Sequence, residues 1–183
     1  MGDQKSLKVQ FELTEDDFEY FRDRFEQARA ARAQKDETAT IDGASQLVAA
    51  ALAAASSKFI SKRITQLNPF IAMLRDPDWR LEGEDRERVL DVLAYFTEGE
   101  DLIPDATPVI GYLDDAIMIE LVVRELGEEI KAYADFCDFR DRKGREVTIP
   151  LLEDERESLQ RRMRRESRAG GEGGSRRSPF SLF

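Results

Sequence analysis

The segment from Asp101 to Asp115 constrains the fold more than any other part of the sequence. It contains four aspartates, Pro104, Pro108 and Gly111, and it separates two stretches with helical patterns. A proline disfavours the helical conformation for the residue before it and fixes its own backbone angle. The chain must therefore turn here along a narrow path, and we expect a stiff corner that joins two helices into a helical hairpin.

Apolar residues recur at intervals of three and four along most of the chain, which is the pattern of helices that face a core. After a first helix from Thr14, we expect a second from Asp42 to Leu67, a short one from Asn68 to Asp76, another from Glu84 to Phe96, and a long one from about Asp115 to Arg140. The apolar positions that define these helices include Phe18, Phe21, Phe25, Ala28, Val48, Leu52, Phe59, Ile64, Val89, Leu93, Ile119, Val122, Leu126, Ile130, Tyr133 and Cys137.

Two local signals add detail. Thr14 precedes three acidic residues, so it is expected to be the N-cap of the first helix, with Leu13 packed on Phe18. Trp79 follows a proline in a connection and is expected to fill the core from a loop.

Short strands are predicted near the two ends. Apolar and polar residues alternate from Leu7 to Leu13, and Val147 to Ile149 forms a short β-branched run before Pro150. The predicted fold is therefore mainly α: a compact helical domain of five to six helices with one or two short strands. Residues 1–150 are expected to form one domain, and residues 151–183 a basic, partly helical to disordered tail.

Composition excludes several kinds of active site. The chain has no histidine and one cysteine, which removes the usual general base near neutral pH, Ser/His and Cys/His pairs, and imidazole zinc ligands. No catalytic residue and no cofactor are predicted, and a non-enzymatic protein is favoured.

Charge is distributed unevenly. The net charge is -10, whereas the stretch from Arg156 to Arg177 holds eight arginines against three glutamates. An acidic body disfavours nucleic acid and anionic lipid, whereas the basic tail could attract either of them or fold back onto the body. The longest apolar run, Leu47 to Ala55, is too short to span a bilayer, and the first residues do not resemble a secretory signal, so a cytoplasmic protein is expected.

The four aspartates of the corner have two interpretations. Asp105 is placed to cap a short turn, and Asp114 is placed to cap the long helix with Asp115 in its first turn. Alternatively, Asp101, Asp105, Asp114 and Asp115 converge and bind magnesium or calcium, because both ions prefer oxygen ligands.

The same residues carry a resemblance. Ala94-Tyr95, Asp101-Leu102-Ile103-Pro104-Asp105 and Pro108-Val109-Ile110-Gly111-Tyr112-Leu113-Asp114-Asp115 together resemble the YkvA-like family, domain of unknown function 1232, over residues of about 89–123. The family has no agreed activity, and some eukaryotic members are membrane-associated. The resemblance assigns no roles; the family-motif candidates that it implies are Asp101, Pro104, Asp105, Pro108, Gly111, Tyr112, Asp114 and Asp115. Glu120 and Arg124 interrupt the apolar run after these aspartates, which favours a soluble hairpin in this chain.

The leading functional hypothesis is a soluble, non-enzymatic interaction or scaffold domain. Its alanine-rich helix or its arginine-rich tail would bind a protein partner or a second copy, since small-residue faces suit both intrachain packing and dimerisation. The alternatives are a peripheral membrane-associated protein that uses the tail, and a divalent-metal-binding protein that uses the four aspartates.

Overall fold

A computed structural model describes residues 12–54, 57–98 and 112–172. These residues form eight α-helices and two short 3-10 turns, at Thr65–Leu67 and Gly144–Glu146. The prediction of a mainly α protein is confirmed. The helices are α1 (Glu15–Arg32), α2 (Glu37–Ala54), α3 (Lys58–Ile64), α4 (Asn68–Arg75), α5 (Gly83–Glu98), α6 (Leu113–Glu125), α7 (Gly127–Lys143) and α8 (Ile149–Glu172).

The first helix begins as its sequence predicts. The Asp17 amide donates to Thr14 Oγ1 at 3.4 Å, and the Thr14 amide donates to Asp17 Oδ2 at 2.7 Å, so the two residues form a capping box. The hydrogen bonds of Thr14 lower the pKa of Asp17. This helix buries Phe21, Phe25 and Ala28 against α5.

The core surrounds α5. The apolar residues from Val89 to Leu93 are buried, and α5 packs on α1, α2 and α4. Trp79, in the connection before α5, has no exposed surface and lies against Tyr133 and Phe136, with ring centroids 5.7 and 5.2 Å apart. The prediction that this tryptophan fills the core from a loop is confirmed.

Each of two predicted long helices is divided into two helices in the structure, so the predicted number of five to six helices was too low. The predicted helix from Asp42 to Leu67 begins earlier, at Glu37, and Ser57 adopts an extended conformation as the N-cap of α3. The predicted helix from Asp115 to Arg140 is interrupted at Leu126, which leaves the helical region and buries its side chain completely. Gly127, a poor helix former, follows directly.

The predicted strands are not found among the described residues. Val147 is extended, Thr148 has no regular secondary structure, and Ile149 already belongs to α8. The Thr148 carbonyl accepts a hydrogen bond from the Leu152 amide in the first turn of that helix, at 3.0 Å. Most of the predicted strand at the N-terminus, and the corner of the predicted hairpin at residues 99–111, lie outside the described ranges.

Helix α8 packs along α7 and adds to the same core from beyond residue 150. Leu159 and Met163 are buried, and Leu152 packs beside them. The Gln160 side-chain amide donates to the Trp79 carbonyl at 2.8 Å, which ties α8 to the loop that carries the tryptophan.

Candidate functional site

Three of the eight predicted motif residues lie in described parts of the chain, at the start of α6. Tyr112 precedes the helix in the left-handed conformation (φ 64°, ψ 17°) with its side chain buried. Asp114 and Asp115 are buried in the first turn, where the helix dipole favours a negative charge. The expectation that Asp114 is the N-cap was wrong, because the helix begins at Leu113 and its N-cap is Tyr112. The other five residues, Asp101, Pro104, Asp105, Pro108 and Gly111, lie outside the described residues.

The structure brings Tyr95 of α5 close to these two aspartates. Burial, followed by the charges of Asp115 and Asp114, raises the pKa of the Tyr95 phenol. Its ring stacks on Phe25 of α1 with centroids 6.3 Å apart. The phenol therefore stays protonated near neutral pH. Among the described residues, no group of three or more carboxylate or thiol side chains is placed to hold a metal ion.

A carboxylate on α5 holds α1 in place. Asp91 is only 1% exposed; Arg32 Nε lies 2.6 Å from its Oδ1 and Arg29 Nε 3.2 Å from its Oδ2. Arg32 also pairs with Glu87, one turn earlier on α5. Burial raises the pKa of Asp91, while the hydrogen bond and charge of Arg32 oppose that change. The sequence contains one indication of this ion-pair site that our prediction missed: an acidic residue lies inside the apolar run from Val89 to Ala94.

A second buried network joins α5, α7 and α8. Arg88 pairs with both Asp85 and Glu129, and Arg164 Nε lies 2.7 Å from Asp85 Oδ2. Glu129 is 1% exposed, and burial raises its pKa although the Arg88 charge lowers it. The network therefore fixes the relative positions of three helices.

A third network links the end of α4 to α7. Asp76 accepts hydrogen bonds from the Asp78 amide at 2.9 Å and the Tyr133 hydroxyl at 3.1 Å, and its Oδ2 lies 3.0 Å from Arg140 Nη1. Burial, then the Cys137 thiol and the Asp76 charge, raise the pKa of Tyr133. As in the other two networks, a buried carboxylate is paired with an arginine of another helix, so its charge is not left without a counter-charge.

The three networks are built from charged side chains, whereas the outward face of α2 has no charged side chain along its second half. The fifteen residues from Gly43 to Ser57 contain no charged side chain, in a chain that is 36% charged. On this face, Gln46, Ala49, Ala50 and Ala53 are exposed, whereas the opposite side is buried. We call these four residues the α2 face.

Large apolar side chains lie close to the α2 face in the sequence. Leu52 is 38% exposed, and Phe59, at the start of α3, is 45% exposed. The Arg63 guanidinium lies 3.7 Å from the centroid of the Phe59 ring, and it also pairs with Glu120 of α6 at 3.3 Å. Aromatic and arginine side chains of this kind are enriched at protein interfaces.

Comparison with known proteins finds a family match for one part of the chain. Residues 89–121 match the family described as "Protein of unknown function (DUF1232)". The match supports the predicted assignment to domain of unknown function 1232; the description does not use the YkvA-like name, which stays a prediction. No curated protein and no solved structure matches the chain.

The matched residues run from α5 into α6 and include Asp91, Tyr95, Tyr112, Asp114 and Asp115. Within the described parts of the chain, no helix has the length and apolar character needed to cross a membrane.

Proposed function

We propose that this protein is a non-enzymatic interaction and scaffold domain that self-associates through the α2 face. The match of residues 89–121 supports its assignment to the DUF1232 family, which has no known function. The observation that carries the proposal is the exposed, uncharged surface of Gln46, Ala49, Ala50 and Ala53 on a chain that is otherwise rich in charge.

Small side chains allow the close approach that helix pairing needs. Ala44, Val48 and Ala51 bury the inner side of α2, so Ala50 and Ala53 point away from the core. Two helices with alanine at the contact approach to an axial separation of about 8 Å. The α2 face can therefore pack directly against a second helix.

Charge explains why that second helix would belong to another copy. In a two-fold symmetric dimer, residues near the axis meet the same residues of the partner. A charged surface would then face its own sign, and the net charge of -10 adds general repulsion between copies. The α2 face avoids the local repulsion, because its residues are uncharged.

The size of the surface sets the expected strength. One helix face with Leu52 and Phe59 beside it is smaller than a standard interface, so we expect a weak dimer with a dissociation constant on the order of micromolar. Such a domain would bring copies together only where its local concentration is high, which suits a scaffold.

The test is sedimentation equilibrium at high salt over a range of protein concentrations. High salt screens contacts between exposed charges and leaves an apolar contact in place. We expect concentration-dependent dimers in the wild-type protein. Ala53→Glu should abolish them, because it puts two carboxylates into the contact, and Ala134→Glu on the exposed side of α7 is the matched control. Equal dimerisation of all three proteins, or strict monomers in the wild type, would contradict the proposal.

The two other hypotheses use residues on both sides of the described boundaries. Two of the four aspartates of the proposed metal site, Asp101 and Asp105, lie outside the described parts of the chain, whereas six of the eight arginines between Arg156 and Arg177 lie in α8. Peripheral membrane association, divalent-metal binding and a cytoplasmic location stay predictions.

A further inference from the structure

The outward face of α8 changes sign along the helix. Its first half carries Asp154 and Glu157, and its second half carries Arg161, Arg165 and Arg168. All five residues are exposed. Glu157 and Arg161 pair within the helix at 3.3 Å, whereas the ion pairs of the described residues include neither Asp154 nor Arg165.

Other charges of α8 are used inside the molecule. Arg162 pairs with Asp135 of α7, and Arg164 pairs with Asp85 of α5. These contacts hold the inner side of α8 against the body. The outward charges make no such contact with another helix among the described residues, so they are available to a partner.

The outward charges have the spacing of a helix-pairing surface. Asp154, Ser158, Arg161, Arg165 and Arg168 follow one another at intervals of four and three residues, which keeps them on one side of the helix. Asp154 and Arg165 lie on either side of a midpoint between Leu159 and Gln160, each about 8 Å away along the axis at the helical rise of about 1.5 Å per residue.

From this pattern we infer that a second copy of the chain docks antiparallel along α8. The two-fold axis then passes near the midpoint, so Asp154 of each copy faces Arg165 of the other. A parallel arrangement would place acidic halves together, so the charge pattern selects the antiparallel one.

This contact goes beyond the proposed function because it uses α8 instead of the α2 face and depends on charge. Exposed ion pairs are individually weak and are screened by salt. The α8 contact should therefore form at low salt and dissociate at high salt. A copy that uses both surfaces contacts two other copies.

The same charge pattern also complements the dipole of α8 itself, with acidic residues first and basic residues last. If the charge pattern only stabilises its own helix, a charge change in one chain should not alter association with another chain. A charge-swap experiment separates the two roles, because each ion pair in the antiparallel dimer joins Asp154 of one copy to Arg165 of the other.

The experiment measures association at low salt in proteins that all carry Ala53→Glu. The parent is compared with added Asp154→Lys, with added Arg165→Glu, and with an equimolar mixture of these two variants, by sedimentation equilibrium and by energy transfer between labelled chains. Each single variant should weaken association by about tenfold or more. The mixture should return to within about threefold of the parent, since the introduced lysine of one chain would then face the introduced glutamate of the other.

Matched controls change the same charges elsewhere. Asp23→Lys on α1 and Lys143→Glu on α7 alter exposed residues and should leave the low-salt association within about twofold of the parent. Circular dichroism should show unchanged helix content in every variant.

A parent that stays monomeric at low salt, or a mixture no stronger than the single variants, would overturn the inference. Either result would leave the high-salt test of the α2 face unaffected. Conversely, if Ala53→Glu leaves high-salt dimers intact, the proposed α2 contact fails while the mixture still decides the α8 contact.

Discussion

Helices α5 and α2 differ in where they carry charged side chains. Helix α5 lies at the centre of the core and still carries Asp85, Arg88 and Asp91, each paired with a residue of another helix. Helix α2 lies at the surface and exposes an uncharged second half. The comparison shows that the charges of α5 serve connections between helices, whereas the exposed second half of α2 has no charge to pair.

The largest expected effect comes from removing a buried charge of α5. Asp91→Ala should lower the free energy of unfolding by about 3 kcal/mol, because it leaves Arg32, whose side chain is 12% exposed, without its buried partner. Glu87→Ala is the matched control: it removes the other, more exposed partner of Arg32 and should cost less than about 1 kcal/mol. Urea denaturation measures both. Similar losses for the two variants would show that burial of the charge does not govern its contribution.

A smaller, pH-dependent effect should come from Glu129. Burial raises its pKa, so between the ordinary glutamate pKa and the raised value the folded state binds more protons than the unfolded state. Stability contributed by this group therefore increases as the pH falls through that window. Wild type should gain stability relative to Glu129→Gln when the pH is lowered from neutral toward the ordinary glutamate pKa, as measured by urea denaturation at several pH values. A relative loss over this range would show that the Arg88 pair outweighs burial.

Local signals predicted much of the fold. The N-cap role of Thr14 and the stripe of Phe21 and Phe25 depend on neighbouring residues, and both were recognised. The breaks near Ser57 and Leu126 were missed, because apolar spacing continues across them and packing decides where the helix stops. Burial of Leu126 could not be read from its neighbours in the sequence.

The candidate sites were harder to predict than the helices. Asp91 and Arg32 are 59 residues apart in the chain, and no local pattern pairs them. The closeness of Tyr95 to Asp114 and Asp115 also depends on how α5 and α6 are arranged. The uncharged stretch of α2, in contrast, is visible in the sequence, and only its exposure required the structure.

The most direct test of self-association through the α2 face is intermolecular disulfide formation. In a Cys137→Ser background, Ala50→Cys or Ala53→Cys should give covalent dimers on mild oxidation at high salt, because paired α2 helices bring these positions within the roughly 7 Å between Cα atoms that a disulfide allows. Ala134→Cys on the exposed side of α7 should give few. Non-reducing gels measure the rates. A much higher rate for the two α2 positions is the predicted result, and equal rates at all three positions would contradict the account.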